Sequence, residues 1–524
     1  MVHEVHLANL SRLKVLIASG NSLNLETSPN WVPPFQLKIL KLNSWHLGPK
    51  LPPWLRGQQH LSELRISNAG ISGTIPIWFC NISSHLKFLD LSHNQFYGPF
   101  PCHITYPLSD IDISSNQFNG SLPFVSPNIE FLNFSSNSFS GSVTHFFCGN
   151  NSFSGYFILL GNNLLSGTIP KCWKKWEANL RILNLENNNL VGVIPSSMGM
   201  LSLFWLNLRN NSLSGELQIN YTGLSFLDLS GNKLTGKIPE WIGMSLSSLV
   251  VLNLRSNNLE GDVPLQLCNL RKLQVLDLAH NNLSGTIPTC FYNLRGMTQK
   301  SSLGLLGYEL EDETVIAEAE VVTKGRKVEY TALIPFVKSL DLSANNLDGE
   351  IPAELTKMEL QTLNLSKNHL VGKIPSKIGD MRSLESLDLS QNQLSGEIPA
   401  SMSSLSFLSY LNLSCNNLTG SIPTGTQLQS FIESSFIGNQ LCGPPLQRNC
   451  SATDQYTPPG VEQGDQQDHL LSGSNLYMSL GLGFAFGFWA VLGSLLFNVP
   501  WRIAFCRVVD RIVLRMYGFV VEIF

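Results

Sequence analysis

Along most of the chain, apolar side chains recur in a spaced pattern: two leucines one residue apart, then polar residues around an asparagine, then Leu, Gly, Ile and Pro. The clearest copy is Leu273-Gln-Val-Leu276-Asp-Leu278-Ala-His-Asn281-Asn-Leu283-Ser-Gly285-Thr-Ile287-Pro288, and it returns from Leu384 to Pro399 and from Leu408 to Pro423. On the frame LxxLxLxxNxLxGxIP, units 1 to 12 begin at Leu13, Leu37, Leu61, Leu86, Leu108, Ile129, Gly155, Leu180, Leu203, Leu224, Leu249 and Leu273, and units 13 to 16 at Val337, Leu360, Leu384 and Leu408. Apart from one jump after unit 12, the steps run from 21 to 26 residues. A fixed period of this size predicts a solenoid, because one coil cannot bury its own apolar stripe and needs neighbours as walls.

The spacing predicts the local structure of each unit. In LxLxx a short strand turns alternate side chains inward, so Leu276 and Leu278 enter the core and Asp277 faces out. An asparagine such as Asn281 is placed to bond the backbone of the turn it ends and of the next coil, satisfying peptide groups that stacking hides from water. Gly-x-Ile-Pro adds a turn and a second extended stretch that cannot continue into a helix. A parallel sheet on one concave face is the expected result.

Between Phe291 and Phe336 the frame is lost. This island, residues 291–336, is acidic first (Glu309 to Glu320) and basic after (Lys324, Arg326, Lys327), and Ile316 to Val322 partly alternates apolar and polar residues, which predicts a strand. Long insertions in compact arrays are usually functional or disordered.

Composition narrows the classes. Lys and Arg total 34 against 38 Asp and Glu, a net charge of −4, which argues against a nucleic-acid binder. The cysteines pair by place: Cys80 with Cys102, Cys148 with Cys172, and Cys268 with Cys290 each occupy position 20 of one unit and position 17 or 18 of the next. Adjacent coils would bring each pair together, so disulfides and an oxidising compartment are expected; the alternative is buried free thiols. Cys442 and Cys450 flank a short segment after the last unit and are expected to staple a cap over residues 424–450, while Cys415 and Cys506 are left without partners.

N-glycosylation sequons occur at Asn9, Asn81, Asn119, Asn133, Asn150, Asn210, Asn220, Asn282, Asn364, Asn412, Asn417 and Asn449, some of them the by-product of an Asn- and Ser-rich repeat. All precede residues 476–498, an uncharged segment from Leu476 to Asn498 that as a helix would stretch about 34 Å, enough for a hydrocarbon core of roughly 30 Å. No Lys or Arg occurs between Arg448 and Arg502, whereas Arg502, Arg507, Arg511 and Arg515 follow the segment closely, so the repeats are expected outside the cell and the C-terminus in the cytosol. Ser479, Gly483 and Gly487 fall at i, i+4 and i+8 and give one flat helix face suited to a partner helix; the alternative is mere tolerance of small residues. Residues 499–524 are too few for a catalytic domain, so output is expected from a partner. Tyr517-Gly-Phe-Val520 fits a YxxΦ sorting signal, with basic anchoring to the anionic leaflet as the alternative role of this tail.

Two further features concern binding. At the outward position after the second strand leucine most units carry Ser, but Glu186, Arg209 and Arg255 break the rule, and Trp205 and Phe226 lie on the same middle coils as aromatic anchors. Ordinary variation at a solvated position is the competing reading. No His, Cys and carboxylate cluster has catalytic spacing and Gly481-Leu-Gly483 fits no phosphate loop, so neither enzyme, metal nor cofactor is expected.

Taken with these units, Val321-Val-Thr-Lys324-Gly and Glu329-Tyr330 at the island's end, Gly438-Asn-Gln-Leu-Cys442-Gly, the glycine-rich segment and the short basic tail, the chain resembles the plant leucine-rich repeat receptor-like proteins, which include fungal-elicitor and pathogen-recognition receptors. The resemblance implies an α/β-type leucine-rich repeat solenoid with a parallel sheet on the concave face and short turns or 3-10 segments on the convex face, plus one transmembrane helix. It divides the chain into repeats at 1–290, the island at 291–336, four last repeats at 337–423, a cysteine cap at 424–450, an acidic juxtamembrane segment at 451–475 with Asp454, Glu462, Asp465 and Asp468, the span at 476–498 and the tail at 499–524. It further implies a plasma-membrane receptor that binds an extracellular peptide or protein through the concave or lateral face and the island, where Lys324, Lys327 and Tyr330 lie. Its partners would be the bilayer, an adaptor receptor kinase paired through the span and acidic segment, and a shared co-receptor kinase near the last repeats. An immune role is the expected one; a developmental receptor or co-receptor of the same architecture, or an inactive decoy, shares these features. The start, Met-Val-His-Glu-Val-His-Leu-Ala-Asn, shows no secretory signal or cysteine cap, and a truncated chain is expected.

Overall fold

The computed structural model describes residues 1–450 except 103–107, 126–127, 150–154, 177–178, 219–220, 299–306, 311–312, 317–318 and 331–335. Each of the 16 repeat units contributes one three-residue strand to a single 16-stranded parallel sheet, from Val15–Ile17 to Tyr410–Asn412. The register is set by the inner leucines. Leu252 stands beside Leu276, which stands beside Leu340, and this last pairing joins units 12 and 13 directly, so the island loops out of an unbroken sheet. Leu276, Leu278 and their counterparts from unit 2 onward are buried in one continuous core along the solenoid, while Leu16 and Ala18 of unit 1 are partly buried against it.

The asparagines hold the coils together, with one difference from expectation. Asn281 Nδ2 donates to Leu278 O and Ala279 O of its own turn at 3.1 and 3.3 Å, and to Leu254 O at 3.0 Å, while its Oδ1 accepts from Leu259 N at 3.1 Å. Its partner across the stack is therefore the preceding coil, not the next. The reason is directional: the side chain leans back beneath the turn that it closes, where the amide of Leu259 needs an acceptor and Leu254 O, already bonded by Asn257, takes a second donor.

The second extended stretch starts earlier than Gly-x-Ile-Pro, at the preceding x-Leu-x segment, and forms a second parallel sheet on the flank, ten strands from Ser72–Gly73 to Asn282–Ser284, with three more, Ser395–Glu397, Asn417–Ser421 and Gln440–Cys442, near the end. Most of its glycines have positive φ and lie under a neighbour's side chain. At Gly215 (φ +82°) an added Cβ would stand 2.8 Å from Cγ1 of Val193. After each proline the chain turns onto the convex side, mostly as 3-10 segments such as Ser196–Met200, Leu265–Asn269 and Ala400–Ser404.

Disulfides join Cys80 to Cys102, Cys148 to Cys172, Cys268 to Cys290, and Cys442 to Cys450, with Cα separations of 5.1, 5.6, 5.8 and 5.1 Å. Cys415 is a free, exposed thiol. Among the described residues no helix is long and apolar enough to cross a membrane. The expected span with Ser479, Gly483 and Gly487 lies outside the described residues, as do Asp454, Glu462, Asp465, Asp468, Cys506, Tyr517 and Val520.

Candidate ligand-binding face

The outward residue that opens each concave strand defines a column across the sheet. In units 6 to 12 it reads Phe131, Phe157, Ile182, Trp205, Phe226, Val251 and Val275, and in units 13 to 15 Ser339, Thr362 and Ser386; all ten are buried. Trp205 and Phe226, expected as anchors on an open surface, are 4% and 0% exposed and pack edge to face at 5.5 Å between ring centres. They belong to a second apolar cluster that also takes Val321 and Val337, with Tyr330 packed against it. The physical reason for this correction is that the concave face is not bare: the island lies on it.

The island residues that do this form an antiparallel hairpin, Ala319–Thr323 against Arg326–Tyr330, turning at Lys324 and Gly325 with φ of 52° and 71°. Positive φ at both turn positions matches the type I′ geometry that suits a two-residue hairpin. Two shorter strands, Gly307–Leu310 and Glu313–Ile316, pair upstream. The strand expected from Ile316 to Val322 is thus two elements, because the alternation spans the end of one and the start of another.

The hairpin tip is seated on the last units. Lys324 N donates to Ser386 Oγ at 3.0 Å and its Nζ pairs with Glu385 at 3.0 Å. Thr362 Oγ1 donates to Thr323 Oγ1 at 3.0 Å. Gly325 meets the Tyr410 ring so closely that a Cβ there would lie 3.2 Å from ring atoms, so glycine is needed for contact as well as for φ.

The hairpin base is held by charge. Arg209 Nε lies 3.3 Å from Glu186, Nη1 3.4 Å from Glu320 and Nη2 3.8 Å from Glu329, and Lys327 Nζ pairs with Glu320 at 2.7 Å. Arg255 instead turns along the sheet, with Nη1 3.1 Å from Asp277 and 2.9 Å from Asp341. Burial and the neighbouring Asp341 charge push the Asp277 carboxyl up to about 7, against the pull of Arg255. Burial raises Asp228 to about 6 in unit 10 and Asp112 to about 6 in unit 5.

Of the residues expected to bind ligand, the structure therefore brings Glu186, Arg209, Lys327 and the hairpin together. Lys324 and Tyr330 serve the hairpin's own seat, and Arg255 is committed to two aspartates. Sequence reasoning missed Glu320, Glu329, Glu385, Thr362 and Ser386. A usable signal existed, since Ser339, Thr362 and Ser386 interrupt an otherwise apolar column. Of the sequons, Asn9, Asn81, Asn119, Asn210, Asn282, Asn417 and Asn449 are exposed. Asn133, Asn364 and Asn412 are half-buried on the concave face and donate to Asp112, Asp341 and Asp388 at 2.9, 3.2 and 3.4 Å, bonds that a bulky glycan would disturb. Asn150 and Asn220 lie outside the described residues.

Comparison with known proteins bears on the whole chain. Models described as Leucine rich repeat match residues 222–283 and 358–418, and also 60–82, 85–106, 179–201 and 336–358. The chain is 42% identical over 525 residues to Receptor-like protein EIX2 of Solanum lycopersicum, covering 96% of this chain and 51% of the relative. It is 43% identical over 532 residues to Receptor-like protein EIX1 of the same plant, covering 97% and 51%. The chain belongs to the plant leucine-rich repeat receptor-like proteins. It spans about half the length of these curated relatives. Among solved structures, this receptor-like protein is similar to the leucine-rich repeat ectodomain of the Arabidopsis thaliana receptor kinase GASSHO1/SCHENGEN3 in complex with CASPARIAN STRIP INTEGRITY FACTOR 2, with a TM-score of 0.64 and 28% identity over 84% of this chain and 52% of that one. It is also similar to the Arabidopsis receptor kinase HAESA in complex with the peptide hormone IDA and the co-receptor SERK1, with a TM-score of 0.61 and 26% identity over 82% and 71%.

Proposed function

We propose that the chain is the ligand-reading part of a cell-surface receptor, which binds an extracellular peptide or protein and signals through partner receptor kinases in plant innate immunity. The observation that carries this reading is the concave face, where a folded hairpin sits over the later strands of the sixteen-stranded sheet and gathers charged groups at its base, the exposed Glu329 and Lys327 beside the largely buried Glu186 and Arg209. A surface built for its own stability alone has little reason to gather ionic side chains over an apolar cluster. The family supports the receptor role, and the segment from Leu476 to Asn498 supplies a single membrane crossing with the repeats outside. No catalytic role is assigned; output passes to kinases that pair through the span, the acidic segment around Glu462 and Asp465, and the last repeats.

A developmental role is the second reading, favoured by the similarity to HAESA, whose structure holds a peptide hormone and a co-receptor. One experiment separates the two. The full chain is expressed in plant cells and challenged in parallel with microbial culture proteins and with plant extracellular peptides, reading saturable surface binding and an oxidative burst. Binding of a microbial protein with a burst supports immunity, and binding of a plant peptide without one supports development. Absence of the chain from the cell surface, or of saturable binding to either set, overturns the receptor reading.

A further inference from the structure

We propose that the island hairpin is a strap whose seat on the last repeats is governed from the middle of the solenoid by Arg209, and that an acidic ligand group releases it by competing for that guanidinium. The purpose assigned to the strap rests on the receptor reading above; its mechanics rest on the contacts alone.

The hairpin joins two distant parts of the concave face. At its tip, Thr323, Lys324 and Gly325 touch Thr362, Ser386 and Tyr410 in units 14 to 16. At its base, Glu320 and Glu329 stand directly opposite each other across the two strands, and like charges so placed repel. Arg209 of unit 9 pairs with both carboxylates and with Glu186 at once. One guanidinium thus cancels a repulsion built into the hairpin itself. Take it away, and Glu320 keeps Lys327 while Glu329 is left facing a carboxylate.

The contact to Glu329 is the weakest of the three, at 3.8 Å with the glutamate side chain 56% exposed. An incoming carboxylate displaces Glu329 first, because that exchange costs little desolvation. The tip offers little resistance once the base loosens: its hold is two hydrogen bonds to hydroxyls, a half-exposed ion pair and the contact of Gly325 with Tyr410, and of the hairpin side chains from 320 to 330 only Val321 and Thr323 are buried. Release uncovers Ser386, Glu385 and Tyr410, so occupancy at units 8 and 9 is read out as a changed surface at units 14 to 16. The ligand class is therefore a peptide or protein segment that presents acidic side chains.

Hydrogen exchange of the backbone amides of residues 319–330, measured on the purified full chain, tests this without a natural ligand. Arg209→Glu is expected to speed exchange about tenfold, a change that local opening equilibria readily show, while protection of the core strand amides stays as in wild type. Combining Arg209→Glu with Glu329→Arg is expected to restore protection to within about threefold of wild type, a rescue that misfolding cannot produce. An oligoglutamate peptide is expected to speed exchange in wild type and an oligolysine peptide to leave it unchanged. Equal exchange in wild type and Arg209→Glu, or no rescue by the reversed pair, overturns the strap; acceleration by oligolysine in place of oligoglutamate overturns the acidic ligand class. Since neither outcome involves a natural ligand, failure here leaves the receptor reading standing.

Discussion

The same strand position behaves in two ways along this solenoid. In units 1 to 5 the residue opening the concave strand is Val15, Ile39, Glu63, Phe88 or Asp110, and only Glu63, held by Lys41 and Arg65, is buried; Val15 is 46% exposed. In units 6 to 15 the position is buried every time. The inner positions of both regions are alike from unit 2 onward. What differs is a second layer: along the later units the outward face of the sheet has become the floor of another apolar cluster, which the island completes with Val321. An outward position is thus polar or apolar according to what lies above it, and the coil's own fold does not decide the matter.

The largest effect expected from this difference is on stability. Trp205→Ala removes a fully enclosed indole between Ile182 and Phe226 and is expected to cost about 3–5 kcal/mol, the usual range for large aromatics in cores. Phe88→Ala, at the equivalent position in unit 4, removes a half-buried ring that carries Arg65 at 5.8 Å and is expected to cost about 1 kcal/mol. Urea unfolding of the two variants, followed by circular dichroism, measures both. Equal costs would erase the distinction between the open and covered halves.

A smaller effect concerns pH, and it follows local burial and charge more than the halves, since Asp228 in the covered half is raised to about 6 just as Asp112 is in the open half, and only Asp277 beside Asp341 goes higher. Burial, with the neighbouring Asp341 charge, pushes the Asp277 carboxyl in the covered half up to about 7, and burial pushes Asp112 in the open half up to about 6, both from an ordinary value of 3.8. The folded chain therefore keeps protons that the unfolded chain gives up above about pH 4. Each group's contribution is complete below that pH and is lost as pH rises, through 6 for Asp112 and through 7 for Asp277. Asp112→Asn is expected to flatten the fall in stability between pH 4 and 6, and Asp277→Asn to flatten it up to pH 7. Urea midpoints at pH 5, 6 and 7.5 check this, and an Asp277→Asn variant that parallels wild type between 6 and 7.5 would show that Arg255 keeps Asp277 ionised throughout.

These two tests also mark where the sequence was legible. The inward leucines, the strand starts, the cysteine pairs and the break after unit 12 could be read because each depends on neighbours a fixed distance along the chain. The site was harder. Arg209 stood out as an exception to serine, yet its partners Glu320 and Glu329 lie more than a hundred residues away and come close only through the hairpin. Trp205 was legible as large and aromatic but not as covered, since periodicity says which side of the strand it faces and nothing about what lies on that side. Asn281 shows a third kind of miss: its donors were foreseen and the direction of its reach was not, because stacking order along the axis is a three-dimensional fact.

The smallest expected effect sharpens the role of charge on the hairpin. Lys327 pairs with Glu320 at 2.7 Å, but its side chain is 61% exposed, so solvent and salt screen most of the attraction. Lys327→Ala is expected to change global stability by no more than about 0.5 kcal/mol, within the range measured for exposed pairs. Its local effect on the hairpin amides is expected to vanish in about 1 M salt, where the screening length falls to roughly 3 Å. Arg209, with a side chain only 11% exposed, is expected to hold the hairpin at both ionic strengths. Hydrogen exchange of residues 319–330 in low and high salt compares the two. If salt alone released the wild-type hairpin, screened surface charge would be its main tether, and the buried Val321 and Thr323 and the contact of Gly325 with Tyr410 would have to count for less than their packing suggests.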